Sequence, residues 1–188
     1  KYNVPVRVLS SFQDGPGTLV TNEENSVEAP RVSGIAFSRN EAKLTMIGVP
    51  DHPGIAHSIL GPVSEANINV DVILQNISEA GKTDFTFTVD RNEYAQAKDI
   101  LGAVAQKLEA EDVRGDDHIV KVSVVGVGMR SHAGIAATMF ATLGKENINI
   151  QMISTSEIKI SVVIEEKYLE LAVRALHAAF NLDGEAPI

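Results

Sequence analysis

One stretch of this chain recurs 80 positions further on without a gap, and that repeat limits the fold more than any other feature. Asp51-His52-Pro53-Gly54-Ile55-Ala56 lies over Ser131-His132-Ala133-Gly134-Ile135-Ala136. Asn67-Ile68-Asn69-Val70 lies over Asn147-Ile148-Asn149-Ile150, Gly48 over Gly128, and Ile73 over Ile153. Nine identities fall within 26 aligned positions and gather in two short blocks, whereas chance similarity would scatter. The pattern predicts duplication of one unit of roughly 70–80 residues.

Both copies read alike. Ala42–Gly48 and Val120–Gly128 are short, apolar and β-branched, as strands are. Ile55, Ile59 and Val63 in one copy, and Ile135, Met139 and Leu143 in the other, recur at helical spacing over 53–66 and 133–146. Asp51 and Ser131 stand where helix N-caps are expected, with Pro53 near the first turn. Gly61-Pro62 breaks a local rule, and predicts a kinked helix or a short first part. Strands Val70–Ile77 and Ile150–Ser154 follow, then Asp84–Val89 and Ile160–Ile164, then helices over 94–108 and 166–180. Phe85 and Phe87 should share one face of their strand, Thr86 and Thr88 the other.

The expected class is α+β: two ferredoxin-like βαββαβ units in tandem, with antiparallel sheets and helices on one face. Each unit needs a fourth strand, and none is legible directly after its second helix. Glu109–His118 reads as a polar linker, and Asn181–Ile188 ends the chain. Two strand-like segments remain near the start. By proximity Val32–Phe37 is assigned to the first unit and Val4–Ser11 to the second. The first unit, 31–112, is thus inserted into the second, 4–12 plus 118–181, with 13–30 as a connecting loop expected to be mobile.

Composition excludes several classes. The net charge of −9 disfavours nucleic acid. No basic run offers itself to anionic lipid, and no apolar run of about 18 residues spans a membrane. The opening Lys1-Tyr2-Asn3-Val4-Pro5 has no apolar leader region, and it lacks an initial Met, as a processed fragment would. Cysteine is absent, which removes disulfides and thiolate sites and fits a cytoplasmic location. His52 and His132 without a third ligand make a poor metal site, so neither metal nor cofactor is expected.

Several phrases resemble one family. Leu74-Gln75-Asn76, Met129-Arg130-Ser131-His132, the run 149–158 (N-I-Q-M-I-S-T-S-E-I) and Val6–Phe12 are similar to the C-terminal regulatory region of aspartate kinases. The resemblance extends over nearly the whole chain. Pro62, and Ala133 where the family often has proline, depart from its pattern. It implies two ACT domains that bind end-product amino acids, threonine and/or lysine, and feed back on the first step toward lysine, threonine and methionine. No glycine-rich phosphate loop with its lysine is present, so no kinase chemistry is expected in this stretch. The resemblance further implies a β-type regulatory subunit, or an excised equivalent, that pairs through its ACT domains and assembles with a kinase-bearing α subunit.

The residues suit such a ligand. A carboxylate seeks the free amides and dipole of a helix N-terminus, where Gly54-Ile55-Ala56 and Ile135-Ala136 stand. An ammonium seeks carbonyls or carboxylates. Asn69 and Asp71 open the facing strand, with Asn149 the counterpart of Asn69 in copy two and Ile150 next to it. Gln75 and Thr155 share one repeat position and could read a side chain. Asp51 and Asp71 against Ser131 and Gln151 make the first half-site the more acidic. In the family a site forms where one chain's first domain meets its partner's second.

Bland roles compete. Asp51 alone is more often a plain cap, Asn67 and Asn147 are turn residues, and Gln75-Asn76 would ordinarily face solvent. Ser154-Thr155-Ser156 lacks a glycine-flanked nucleophile elbow. A stand-alone amino-acid-sensing ACT regulator is the runner-up. An acylphosphatase-like enzyme would use Arg130, but Asp51 in the matching loop would repel phosphate. An RNA-recognition sheet would need more stacking aromatics than Phe85 and Phe87.

Overall fold

Two long antiparallel strands form the spine of the molecule. The computed structural model describes residues 6–9, 12, 15–20, 32–77, 81–127, 129 and 133–182. A small hairpin-like sheet pairs β1 (Val6–Val8) with β2 (Thr18–Val20). The main chain order is then β3 (Val32–Pro50), α1 (Ile55–Glu65), β4 (Val70–Ile77), β5 (Lys82–Val89), α2 (Tyr94–Lys107), β6 (Asp112–Gly126), α3 (Ala133–Lys145), β7 (Met152–Thr155), β8 (Lys159–Glu165) and α4 (Leu169–Ala179). One six-stranded antiparallel sheet runs β4-β5-β3-β6-β8-β7.

At 19 residues β3 far exceeds an ordinary strand, because it serves two modules in turn. Its second half pairs with β5 on one side and with the start of β6 on the other. Its first half pairs with the end of β6, whose other side carries β8. Module one therefore has the order β6-β3-β5-β4 and module two β3-β6-β8-β7, each the ferredoxin-like arrangement. The register respects the repeat. Shifting Ile35↔Val124 by 80 residues gives Leu44↔Gly115, which is also a pair.

This pairing corrects the strand assignment made from sequence. Val32–Phe37 completes module two, not module one, since Phe37 lies opposite Val122 and Ile35 opposite Val124. Of the segment Val4–Ser11, the described strand Val6–Val8 joins neither module and among the described residues pairs with β2. Module one takes its fourth strand from Asp112–Asp116, inside the supposed linker. That strand was illegible because its inward positions are Val113 and Gly115, with no apolar alternation. Tyr94 supplies the missing bulk, for a Cβ on Gly115 would lie 2.3 Å from its hydroxyl. Module one still sits within module two in sequence, between that module's edge strand and the rest of it. Of the expected mobile loop 13–30, residues 13, 14 and 21–30 lie outside the described residues, and Thr18–Val20 forms β2.

Each module buries one sheet face under its own helices. Leu44, Met46, Phe85 and Phe87 pack beneath Ile55, Ile59, Val63 and Leu101. Val120, Val122 and Val124 pack beneath Ile135, Met139, Leu143 and Leu176. Burying each such side chain contributes about 1.5–3 kcal/mol. Along β3 the helix-facing positions are odd at Ile35 and Phe37 but even at Ala42, Leu44 and Met46, and a register irregularity separates them. The inserted residue at that irregularity shifts the alternation by one, so both helix layers keep to one face of the folded sheet. The bare faces meet instead: Ile119, Met152 and Val163 of module two pack against Val72 and Leu74 of module one.

The repeated Asn-Ile-Asn is a helix stop. Asn67 is left-handed at φ 60°. Its N–H donates to Ser64 O, and the Ile68 N–H donates to Val63 O. This is a Schellman cap with Ile68 buried against Val63. Asn147 and Ile148 repeat it on α3, and Glu109 and Asn181 hold the same conformation after α2 and α4. Pro62 does not break α1, which runs on to Glu65 with the proline in its last turn. Asp51 is not the N-cap. That position is Gly54, at φ 94°, with no side-chain cap bond. Ser131 lies outside the described residues.

Candidate functional site

The twelve candidate residues fall at two ends of each module. At one end of module one, the Asp51 N–H donates to Gly81 O beside the β4–β5 turn, which sets Asp51 near the close of β4 and Gln75. Gly54 is exposed there with nothing within 4 Å of a built Cβ, so a ligand could approach its backbone. Ile55 is buried in the core and its N–H is already donated to His52 O. The first-turn amides of Ala56 and His57 have no acceptor among the described residues. An uncompensated amide pair at the positive end of a helix dipole suits a carboxylate.

Asn69 stands at the opposite end of β4. Six residue steps separate it from Gln75, about 20 Å at the usual rise. Asn69 and Asp71 line a polar cleft of about 290 Å³ with Glu41, Asp90 and Lys121. Asp71 does not wait there for an ammonium, because Lys121 Nζ donates to its carboxylate and also lies 2.5 Å from Glu41 Oε1. The extra acidity read into the first half-site therefore rests on Asp51. Burial, the largest influence on Lys121, pushes its pKa down. Hydrogen bonds and charges from Asp71 and Glu41 outweigh it and hold the value above the ordinary lysine range.

Module two repeats the division. Ile135, buried, and Ala136, half-buried, open α3, and Thr155 closes β7 at the same end. Asn149 is exposed at the other end, and Ile150 packs against the module core. The side chain of Gln151 accepts a hydrogen bond from Lys43 Nζ across the inter-module layer. Arg130 and His132 lie outside the described residues. No one chain brings all the candidates into a single cavity. A larger groove of about 380 Å³ between Phe37 and α4 contains none of them.

Sequence reasoning missed Glu41, Lys43 and Lys121. A signal existed. Glu41 and Lys121 occupy the same repeat position with opposite charge, each inside an apolar strand, and such a pair predicts an ion pair near the internal pseudo-axis. Nearby, the two equivalent 3-10 turns join as well: Arg91 of the first lies 3.2 Å from Glu166 of the second and donates to Ile119 O. Among the described residues no helix is long and apolar enough to cross a membrane.

Comparison with known proteins agrees with the two modules. A family model described as an ACT domain matches residues 43–106, and a second model, also described as an ACT domain, matches 122–180. The aspartate kinase of Pseudomonas fluorescens is 67% identical over 187 residues, covering 99% of this chain and 45% of its own length. The chain thus spans about half the length of the curated relatives it matches. Among solved structures, one of aspartokinase alpha and beta subunits is 57% identical. It covers 80% of this chain and 99% of its own, with a TM-score of 0.75. The ligand-free regulatory subunit of aspartate kinase from Thermus thermophilus is 37% identical, covering 79% and 98%, also with a TM-score of 0.75.

Proposed function

This chain belongs to the aspartate kinase family as two ACT domains of its regulatory region, and from that premise we propose that it binds threonine and/or lysine between two copies of itself. The observation that carries the reading is the split of the candidate residues along β4 and β7. Both are outer edge strands, and both carry an exposed isoleucine, Ile73 and Ile153, at the same repeat position. Antiparallel docking of one copy's β4 against the other's β7 brings the end of one strand to the start of the other. Asp51, Gly54, Ala56 and Gln75 then meet the partner's Asn149 and Ile150. Reciprocally, Ala136 and Thr155 meet the partner's Asn69.

In that cleft the effector carboxylate takes the first-turn amides. Its ammonium takes Asp51 and the partner's asparagine, and its side chain is read by Gln75 or Thr155. The ligand stabilises the paired edges. Where a kinase-bearing subunit is attached, it favours whichever kinase state those paired edges accompany, and feedback inhibition is the expected sense. The cysteine-free chain acts in the cytoplasm alongside that subunit. Isothermal titration of the purified chain with each amino acid tests the reading, together with sedimentation with and without ligand. Saturable heat from threonine or lysine, with tighter self-association, supports it. Flat titrations for both reject it.

A further inference from the structure

We propose that Asp84 and Glu111 are positioning residues for the first half-site: they hold a bulge at Gly48 that turns Asp51 to the face carrying Gln75 and the start of α1. This role rests on the effector-site reading above. The β3–β5 ladder slips by one residue between Met46 and Val49, since Met46 lies opposite Phe85 and Val49 opposite Thr83. Ile47 and Gly48 together therefore face Asp84, two residues against one, as in a β-bulge. Alternation reverses there. Leu44 and Met46 are buried against the module-one helices, and so is Val49, three places on rather than two. Counting on from Val49 brings Asp51 to the helix side, and the Asp51 N–H is still tied to Gly81 O at 2.9 Å. Gln75, paired with the buried Phe85, stands on that side too. In an unbroken ladder Asp51 would fall on the opposite face.

Two side chains hold the bulge. Gly48 is buried at φ 66°, a conformation open to glycine and costly to other residues. Its N–H donates to Asp84 Oδ1 at 2.9 Å. Glu111, just before β6, closes the bulge from the other strand. Its N–H donates to Ile47 O at 2.9 Å. Its stem passes so close over the glycine that a Cβ there would lie 2.5 Å from it. Its carboxylate meets Lys82 Nζ at 2.5 Å, and Lys82 is the residue opposite Pro50. The strap thus spans β3 from one flanking strand to the other. Asp84 lies opposite Asn76, on the face away from Gln75, so it supports the loop from behind and does not meet the ligand. Without that carboxylate the buried glycine amide is left unpaired, the bulge loosens, and Asp51 loses its fixed direction.

The test titrates the whole chain with threonine and with lysine, at a temperature where urea curves show every variant fully folded. Asp84→Ala removes the acceptor, whereas Asp84→Asn keeps an oxygen that can take the Gly48 N–H. A role confined to stability would leave the affinity of the folded chain unmoved. At least one of the two amino acids should bind about tenfold or more weakly to Asp84→Ala, and within about threefold of the parent to Asp84→Asn. Glu111→Ala should weaken binding likewise, while Glu111→Gln, which still covers the glycine, should stay within about threefold. Parent affinity in Asp84→Ala or Glu111→Ala, or a loss that the conservative change does not recover, overturns the positioning role. Should the parent bind neither amino acid, the site reading fails, and amide hydrogen exchange without ligand judges the bulge separately. Asp84→Ala should then speed exchange at Gly48 and across 51–57 by about tenfold or more, with α2 at the parent rate. Rates unaltered at those positions, or raised equally over α2, overturn it.

Discussion

Lys121→Met should be among the most damaging single changes at a polar position of this chain. Glu41 is only 5% exposed, and Lys121 is the cation beside it, at 2.5 Å. Removing the lysine leaves a buried carboxylate without compensation, whereas Asp71 on the edge strand keeps contact with water. Breaking a buried pair from one side costs about 3–5 kcal/mol. For a chain of this size that lowers the melting temperature by roughly 6–20 °C. Urea unfolding at pH 7 and calorimetric melting measure it, and the m-value should stay constant. Adding Glu41→Gln should recover most of the loss, since no charge is then stranded. The pH dependence gives an independent check. A lysine whose folded-state pKa is raised contributes stability that is complete below its unfolded value and fades as pH climbs through the folded one. The gap between parent and Lys121→Met should therefore hold up to about pH 10 and narrow above it. A variant within about 1 kcal/mol of the parent at neutral pH would mean the pair behaves like an exposed one, and the reasoning would be wrong.

Three further outcomes follow from backbone and packing. Gly54→Ala forces an L-residue to φ 94°, so the α1 entry turn should rearrange; titration should show effector affinity down at least about tenfold, with about 1–2 kcal/mol of stability lost. Glu109→Gly relieves a left-handed glutamate at the α2 cap and should raise the urea midpoint, by an amount equivalent to about 0.5–1 kcal/mol. Gly115→Ala drives a methyl against the Tyr94 ring and should cost about 1–3 kcal/mol in urea unfolding. Trimming Tyr94 to Leu in the same chain should return part of it, and strictly additive losses would show that the two residues do not touch.

The repeat, the helical spacing of Ile55, Ile59 and Val63 against Ile135, Met139 and Leu143, and the shared face of Phe85 and Phe87 were all readable in the sequence. They are local periodicities, set by how a helix or a strand points its side chains. The resemblance to aspartate kinase regulatory regions was readable too, in phrases such as the run 149–158. Strand partners were not. Asp112–Asp116 looks like a linker until Tyr94 is seen to fill the space over Gly115. Val32–Phe37 could pair with either module, and proximity in sequence chose wrongly.

Nor could sequence say that Asp71 is already spoken for by Lys121, since those residues lie 50 positions apart on strands that β5 and β3 separate. The chain's local pattern determined which elements form and where each helix stops. Which edges lie free, which charges cancel, and why one copy's candidates sit some 20 Å apart on β4 were decided by tertiary structure. The physical reason is that pairing of long strands, and packing of one sheet's bare face on another, depend on contacts between residues far apart in the chain, and no short window of sequence contains both partners.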